Sequence, residues 1–262
     1  MPSTLPTHPL AVLPLKLWRP RWFDGVALVA GAAAPDTAYL FDRLIDVPRH
    51  AVHEWGYSTE HLLGALWWST PAALLTAWLI RLGAPAVAAH LPGWGREYGV
   101  LGRRGHRWWI TLLSALIGVA SHLLWDLFTH PGPVDDWWLV RQISDYSSLL
   151  LMPLFVWYVG RRHLLVRWHG DPPSQKTSPG LFWLTTGLLF TVGALITWRL
   201  GYHGPHIVGV RLIAALMLGL LGGAAAVALG GKAVDDLGAG QVRQDRAGQD
   251  DLAAAQAAAD HH

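Results

Sequence analysis

The stretch SHLLWDLFTH, residues 121–130, spaces His122, Asp126 and His130 four residues apart within an apolar run. Positions four apart on an α-helix differ by about 40° around the axis, so the three side chains form one stripe and His122 and Asp126 can reach a common ion. Histidine with carboxylate is a donor set for zinc, manganese or iron, and such a cation lowers the pKa of bound water enough to make a hydroxide nucleophile. His130 directly precedes Pro131, which disfavours helix at the residue before it, so it ranks below the other two. The competing reading is that His122 and Asp126 pair with each other, or snorkel, without a metal.

Two other stretches carry polar residues among apolar ones. AAAPDTAYLF sets Asp36 after Pro35, and HEWGYSTEHLLG sets His53, Glu54, Glu60 and His61 ahead of an apolar segment starting at Leu62. An ionisable side chain inside a bilayer costs about 2.5–3.5 kcal/mol on insertion scales, so each needs a cause. Glu54 or Glu60 is the candidate general base, since a carboxylate within one water of a metal can take its proton. The histidines at 50, 90, 106, 163, 169, 203 and 206 fall in loops or at segment ends, where solvated or headgroup-facing roles are expected. There is no G-x-S-x-G elbow, P-loop or dinucleotide fingerprint, which removes support from serine-hydrolase and nucleotide-driven classes.

The elements that must position these residues follow from composition. Of 262 residues 52% are hydrophobic, only 15% are charged and 16 are tryptophan, and the mean hydropathy is +0.27; such a chain is read against a bilayer. A net charge of +2, with no basic block interleaved with aromatics, argues against a nucleic-acid partner. With no cysteine, disulfides, thiolate metal sites and cysteine nucleophiles are excluded. The N-terminal stretch lacks a basic region before its apolar residues and is interrupted by prolines, so insertion through internal segments is expected.

Hydropathy predicts an all-α polytopic membrane protein with about six membrane-associated helices. Clear segments are 62–80, 108–128, 181–198 and 207–229; the weaker ones, 26–44 and 147–160, could be half-helices or re-entrant. Basic residues cluster in alternate loops (Lys16, Arg19, Arg21; Arg81 to Arg107; Arg161 to Lys176; Lys232, Arg243), Arg43 and Arg49 excepted. That pattern predicts both termini on the cytoplasmic side of a bacterial inner membrane. The tryptophan pairs at 108/109 and 137/138 fit headgroup-level anchors. Residues 1–230 form the expected transmembrane domain, and 231–262, polar and alanine-rich, a mobile tail.

The ordered set PTHPLAVLPL, VAGAAAPDTAYL, YSTEHLLGALWW, GVASHLLWDLFTHPG and YSSLLLMPLFVW resembles the bacterial membrane family catalogued as domain of unknown function 4184, from residue 3 to about 160. More remotely, an N-terminal histidine, a PD pair, a His-rich loop before a helix and S-H-x-x-x-D resemble the inner-membrane metal-dependent hydrolases. That resemblance implies a metal shell of His8, Asp36, His53, His61, His122 and Asp126. A six-span topology sets His8 on the opposite side from His53 and His61, so convergence requires 26–44 to dip without crossing, or His8 to lie on an embedded arm. Otherwise His8 is a helix-start residue, with Pro9 favourable in the first turn. The function expected is metal-dependent hydrolysis of a lipid-like or phosphoester substrate at the bilayer surface, with membrane lipid as the partner. The alternative is a non-enzymatic membrane protein, structural or transporting, whose His and Asp residues pair internally; no repeat symmetry favours transport.

Overall fold

The computed structural model describes residues 7–42, 44–45, 63–103, 105–130, 135–201 and 204–231. Among them the chain is α-helical, and four helices are long and apolar enough to cross a membrane: Ala65–Ala89, Trp108–Thr129, Pro179–Arg199 and Pro205–Gly231. These match the four clear hydropathy segments. The expected count of about six is not reached, because the two weaker segments fold differently.

The first of these, 26–44, belongs to a helical hairpin. Helix α1 (Thr7–Trp18) and helix α2 (Gly25–Ala33) are joined by a turn. At 1.5 Å per residue they are about 18 and 13 Å long, too short for a hydrocarbon core of about 30 Å. They run antiparallel: the Lys16 side chain lies against Gly25, and Val12 packs with Leu28 and Ala32. Pro35 has no N–H to offer the Gly31 carbonyl; Ala34 donates to it instead at 3.2 Å, and the chain tightens into a 3₁₀ helix, Pro35–Phe41.

Helix α3 (Thr70–Ala89) follows a π-helical turn, Ala65–Ser69; a 3₁₀ segment, Gly93–Gly102, leads to α4 (Trp108–Thr129). The second weak segment, 147–160, is the latter part of α5 (Trp137–Arg161), a longer helix carrying Arg141 and Asp145. Short α6 (Leu164–His169) precedes α7 (Pro179–Arg199), and α8 is Pro205–Gly231. Residues 232–262, the expected tail, lie outside the described residues.

Packing follows membrane rules. The core around α2, α3 and α4 is mostly alanine: Ala27, Ala30, Ala34, Ala73, Ala77, Ala115 and Val119. Leu184, Leu188, Leu195 and Trp198 of α7 face outward. Large apolar residues outside and small ones between helices suit a solvent as apolar as leucine, where close backbone packing drives association. At Gly31 a Cβ would stand 2.2 Å from the Ala115 carbonyl oxygen, and at Gly118 one would stand 2.4 Å from that of Leu28. Only glycine permits the approach of α2 to α4.

This approach fixes direction as well as distance. Asp24 meets Ser114 at the start of α2 and Ala32 meets His122 near its end, so α2 runs parallel to α4. Arg81 reaches Asp24 while Trp68 reaches Thr37, so α3 runs antiparallel to α2. One end of the bundle therefore holds Lys16, Asp24, Arg81 and Thr111. The other holds His8, Asp36, His122 and Asp126.

Candidate metal centre

Three elements deliver the side chains at this second end. The buried stripe of α4 runs Ser114, Ala115, Gly118, Val119, His122, Asp126, Thr129, the spacing of one helix face. His122 is fully buried, and its Nδ1 lies 2.7 Å from the Ala32 carbonyl oxygen. A carbonyl only accepts, so Nδ1 carries the donated proton, and Nε2, which faces Asp126, is the ring atom that would take a metal. Asp126 sits one turn on, its Oδ2 3.2 Å from His122 Nε2.

His8 enters from the first turn of α1. Its ring stacks on that of His122, and its Nε2 lies 3.5 Å from Asp126 Oδ1. Neighbouring Thr7 donates from Oγ1 to the Ser144 carbonyl at 3.3 Å, and Trp125 Nε1 donates to Ser144 Oγ at 3.0 Å, so α5 braces both α1 and α4. Asp36 comes from the 3₁₀ helix, which is pinned by Thr37 Oγ1 donating to the Ala34 carbonyl and by Trp68 Nε1 donating to Thr37 Oγ1. All four of His8, Asp36, His122 and Asp126 are buried.

One ligand atom each from His8, Asp36 and His122 lies within 4.8 Å of the others. Donors at 2.0–2.1 Å from a tetrahedral ion stand roughly 3.3 Å apart; the spacings from Asp126 to His8 and His122 are 3.5 and 3.2 Å. The donor set is therefore of the right kind and close to the right size. The same 3.2 Å contact also makes the His122–Asp126 pair that was the metal-free alternative.

His8 is thus both a helix-start residue and a member of the cluster. Because α1 and α2 return the chain to the end it left, His8 and Asp36 meet at one end of the bundle. His130 ends α4 in an extended conformation, as Pro131 requires, with its Nδ1 3.5 Å from Asp126 Oδ1. His53, Glu54, Glu60 and His61 lie outside the described residues.

Sequence reasoning missed the cluster at the opposite end. Asp24 caps α2, accepting at Oδ1 from Ala27 N at 3.3 Å; its Oδ2 accepts from Thr111 Oγ1 at 2.6 Å and from Arg81. Burial pushes this carboxyl up, but Thr111 and the Arg81 guanidinium outweigh it and hold it below the usual carboxylate range. Lys16 Nζ donates to the Pro20 and Phe23 carbonyls at 2.7 and 2.9 Å and lies 3.3 Å from His106 Nε2. Burial lowers its pKa to about 8 against the opposing pull of Asp24. The available signal was an Asp before Gly25 at a helix start, an N-cap pattern.

Comparison with curated proteins finds no match, and comparison with solved structures finds none. The family described as Domain of unknown function (DUF4184) matches residues 1–165, a span that contains the hairpin and all four clustered side chains, and the chain belongs to that family.

Proposed function

We propose that the chain is a divalent-metal-dependent membrane hydrolase acting on a lipid-like or phosphoester substrate at the bilayer surface. The observation that carries this reading is the convergence of His8, Asp36 and His122 ligand atoms within 4.8 Å, with Asp126 beside both imidazoles. Buried ionisable residues in a membrane bundle are expensive and mark function by default. Zinc, manganese or iron held there would polarise a phosphoryl oxygen and acidify a bound water. His8 and His122 supply neutral nitrogens, Asp36 and Asp126 the countercharge, and the Ala32 carbonyl orients His122. Glu54 or Glu60 is proposed as general base, and His53 and His61 as completing the shell.

The basic clusters at Arg19/Arg21, Arg81–Arg107 and Arg161–Arg167 flank the Asp24 end of the bundle. By the positive-inside rule that end faces the cytoplasm of a bacterial inner membrane, and the metal centre faces the outer leaflet. In this orientation His8 stands on the outer side, unlike the cytoplasmic N-terminus of the six-span topology, and the last turn of α8 on the inner.

The test is metal content of the detergent-purified protein by mass spectrometry, with His261 and His262 removed, beside His122→Ala and Asp126→Ala. Stoichiometric metal in the parent and its loss from folded variants supports the reading and opens a phosphodiester and phosphomonoester screen. A folded parent that stays metal-free after reconstitution transfers the assignment to the internal His122–Asp126 pair and a non-enzymatic role.

A further inference from the structure

The Asp24 end of the bundle encloses a cavity that the proposed hydrolase chemistry does not use. From Thr111 to His122 along α4 is about 16 Å, so the two polar clusters are separate sites. The cavity measures about 270 Å³ and opens between α1, α2, α3, α5, α6 and the 3₁₀ segment Gly93–Gly102. Leu13, Val29, Phe155, Val159, Leu165 and Trp168 form its apolar body.

Its polar lining is gathered at one side and is cationic: Lys16, Arg81 and Arg103, with His106 and His169, against a single carboxylate, Asp24. Asp24 is fully engaged by Arg81, Thr111 and the Ala27 N–H, which cancels Arg81. Lys16 is buried and its ammonium is directed to backbone carbonyls, so it contributes field without bonding. Exposed Arg103 gives only Nη1, at 3.4 Å, to the His169 carbonyl, leaving the rest of its fork for a ligand at the mouth. Both imidazoles are depressed by burial and by Lys16, so the positive charge rests on Lys16 and Arg103.

An apolar body behind a cationic mouth, set between helices at the basic end of a membrane bundle, has the chemistry of an anionic-lipid site. A soluble polar metabolite would leave its hydrogen-bonding groups against hydrocarbon. We propose that this cavity binds an anionic phospholipid of the adjoining leaflet, one acyl chain inserted against Phe155 and Trp168 and the phosphate held by Arg103 in the field of Lys16. At the lower end of ligand-pocket volumes, the cavity takes one chain and leaves the second in the bilayer.

The test is native mass spectrometry of the full-length detergent-purified protein with added phosphatidylglycerol or phosphatidylcholine, beside Arg103→Glu at the mouth and Val156→Trp in the wall. A one-to-one adduct that prefers phosphatidylglycerol, weakened about fivefold or more by Arg103→Glu as loss of one basic group near a lipid surface demands, supports the site. Val156→Trp is expected to remove the adduct; should it fail to fold, Arg103→Glu, which is exposed, decides alone. Equal retention of both lipids, retention undiminished in Arg103→Glu, or binding confined to free fatty acid overturns the proposal. None of these results depends on metal content, so the hydrolase reading stands or falls separately.

Discussion

The rings of His8 and His122 lie face to face, with centroids 3.7 Å apart and planes 18° from parallel. The stack joins the first turn of α1 to the middle of α4 and turns both Nε2 atoms toward Asp126. His8→Ala is expected to leave the helices assembled, because Thr7 still reaches Ser144 and Val12 still packs with Leu28. Metal affinity should fall by more than the roughly 10–100-fold that follows loss of an outer-shell partner. Chelator competition on folded protein measures it; unchanged affinity would take His8 out of the ligand set.

The α2–α4 contact makes a second prediction. A side chain at Gly118 would run into the Leu28 carbonyl and the Ala32 nitrogen, 2.4 and 2.7 Å from its Cβ. Gly118→Leu should cost at least about 1–3 kcal/mol from overpacking. By moving Ala32 away from His122 it should also weaken metal binding. Gly187→Leu on α7, where nothing lies within 4 Å, is the matched control and should leave both unchanged. Detergent melting and metal content read the two effects together, and equal behaviour of the two variants would remove the argument for close packing.

Much of this was visible in the sequence. The four long spans and the His122/Asp126 stripe follow from hydropathy and helical period alone, with boundaries within a few residues apart from the far end of the α3 span. The hairpin was legible only as an alternative, because Pro35 announces a break but not that α1 and α2 return to the same end. His8 and Asp36 meet His122 through that return, contacts between residues far apart in the sequence that no local pattern encodes. Asp24 was legible only as a helix cap, for a different reason. Its importance arises from Arg81 and Thr111, which look ordinary in their own segments and become partners only when α3 and α4 pack beside α2.

That partnership is testable as an energy. Asp24 is buried and Arg81 mostly so, and removing one member of a buried pair costs roughly 3–5 kcal/mol because the other is left uncompensated. Asp24→Asn should therefore destabilise strongly. Arg81→Met added to it should recover part of the loss, since no orphaned guanidinium remains. A double-mutant cycle in detergent gives the coupling, and simple additivity would mean the pair has no energetic link.

His169 sets the pH response of the same end. Burial, then the Lys16 charge and His106, lower its pKa from 6.5 to about 4. An unfolded chain, with an ordinary imidazole, binds more protons than the folded one between those values. Stability should then fall as pH falls from 6.5 toward about 4 and be indifferent to this group above 6.5. His106, depressed for the same reason, and Asp24, whose lowered pKa also favours the folded state at higher pH, add slopes of the same sign. The His169 share is isolated by comparing the parent with His169→Phe, which keeps a flat ring against the edge-on ring of His106. The variant should melt with a shallower pH dependence between 6.5 and 4 and match the parent's slope above neutrality. Identical slopes in the acid window would mean that the ring takes up its proton in the folded protein as readily as in the unfolded chain, and that the cavity mouth gains its extra charge already below about pH 6.5 rather than near 4.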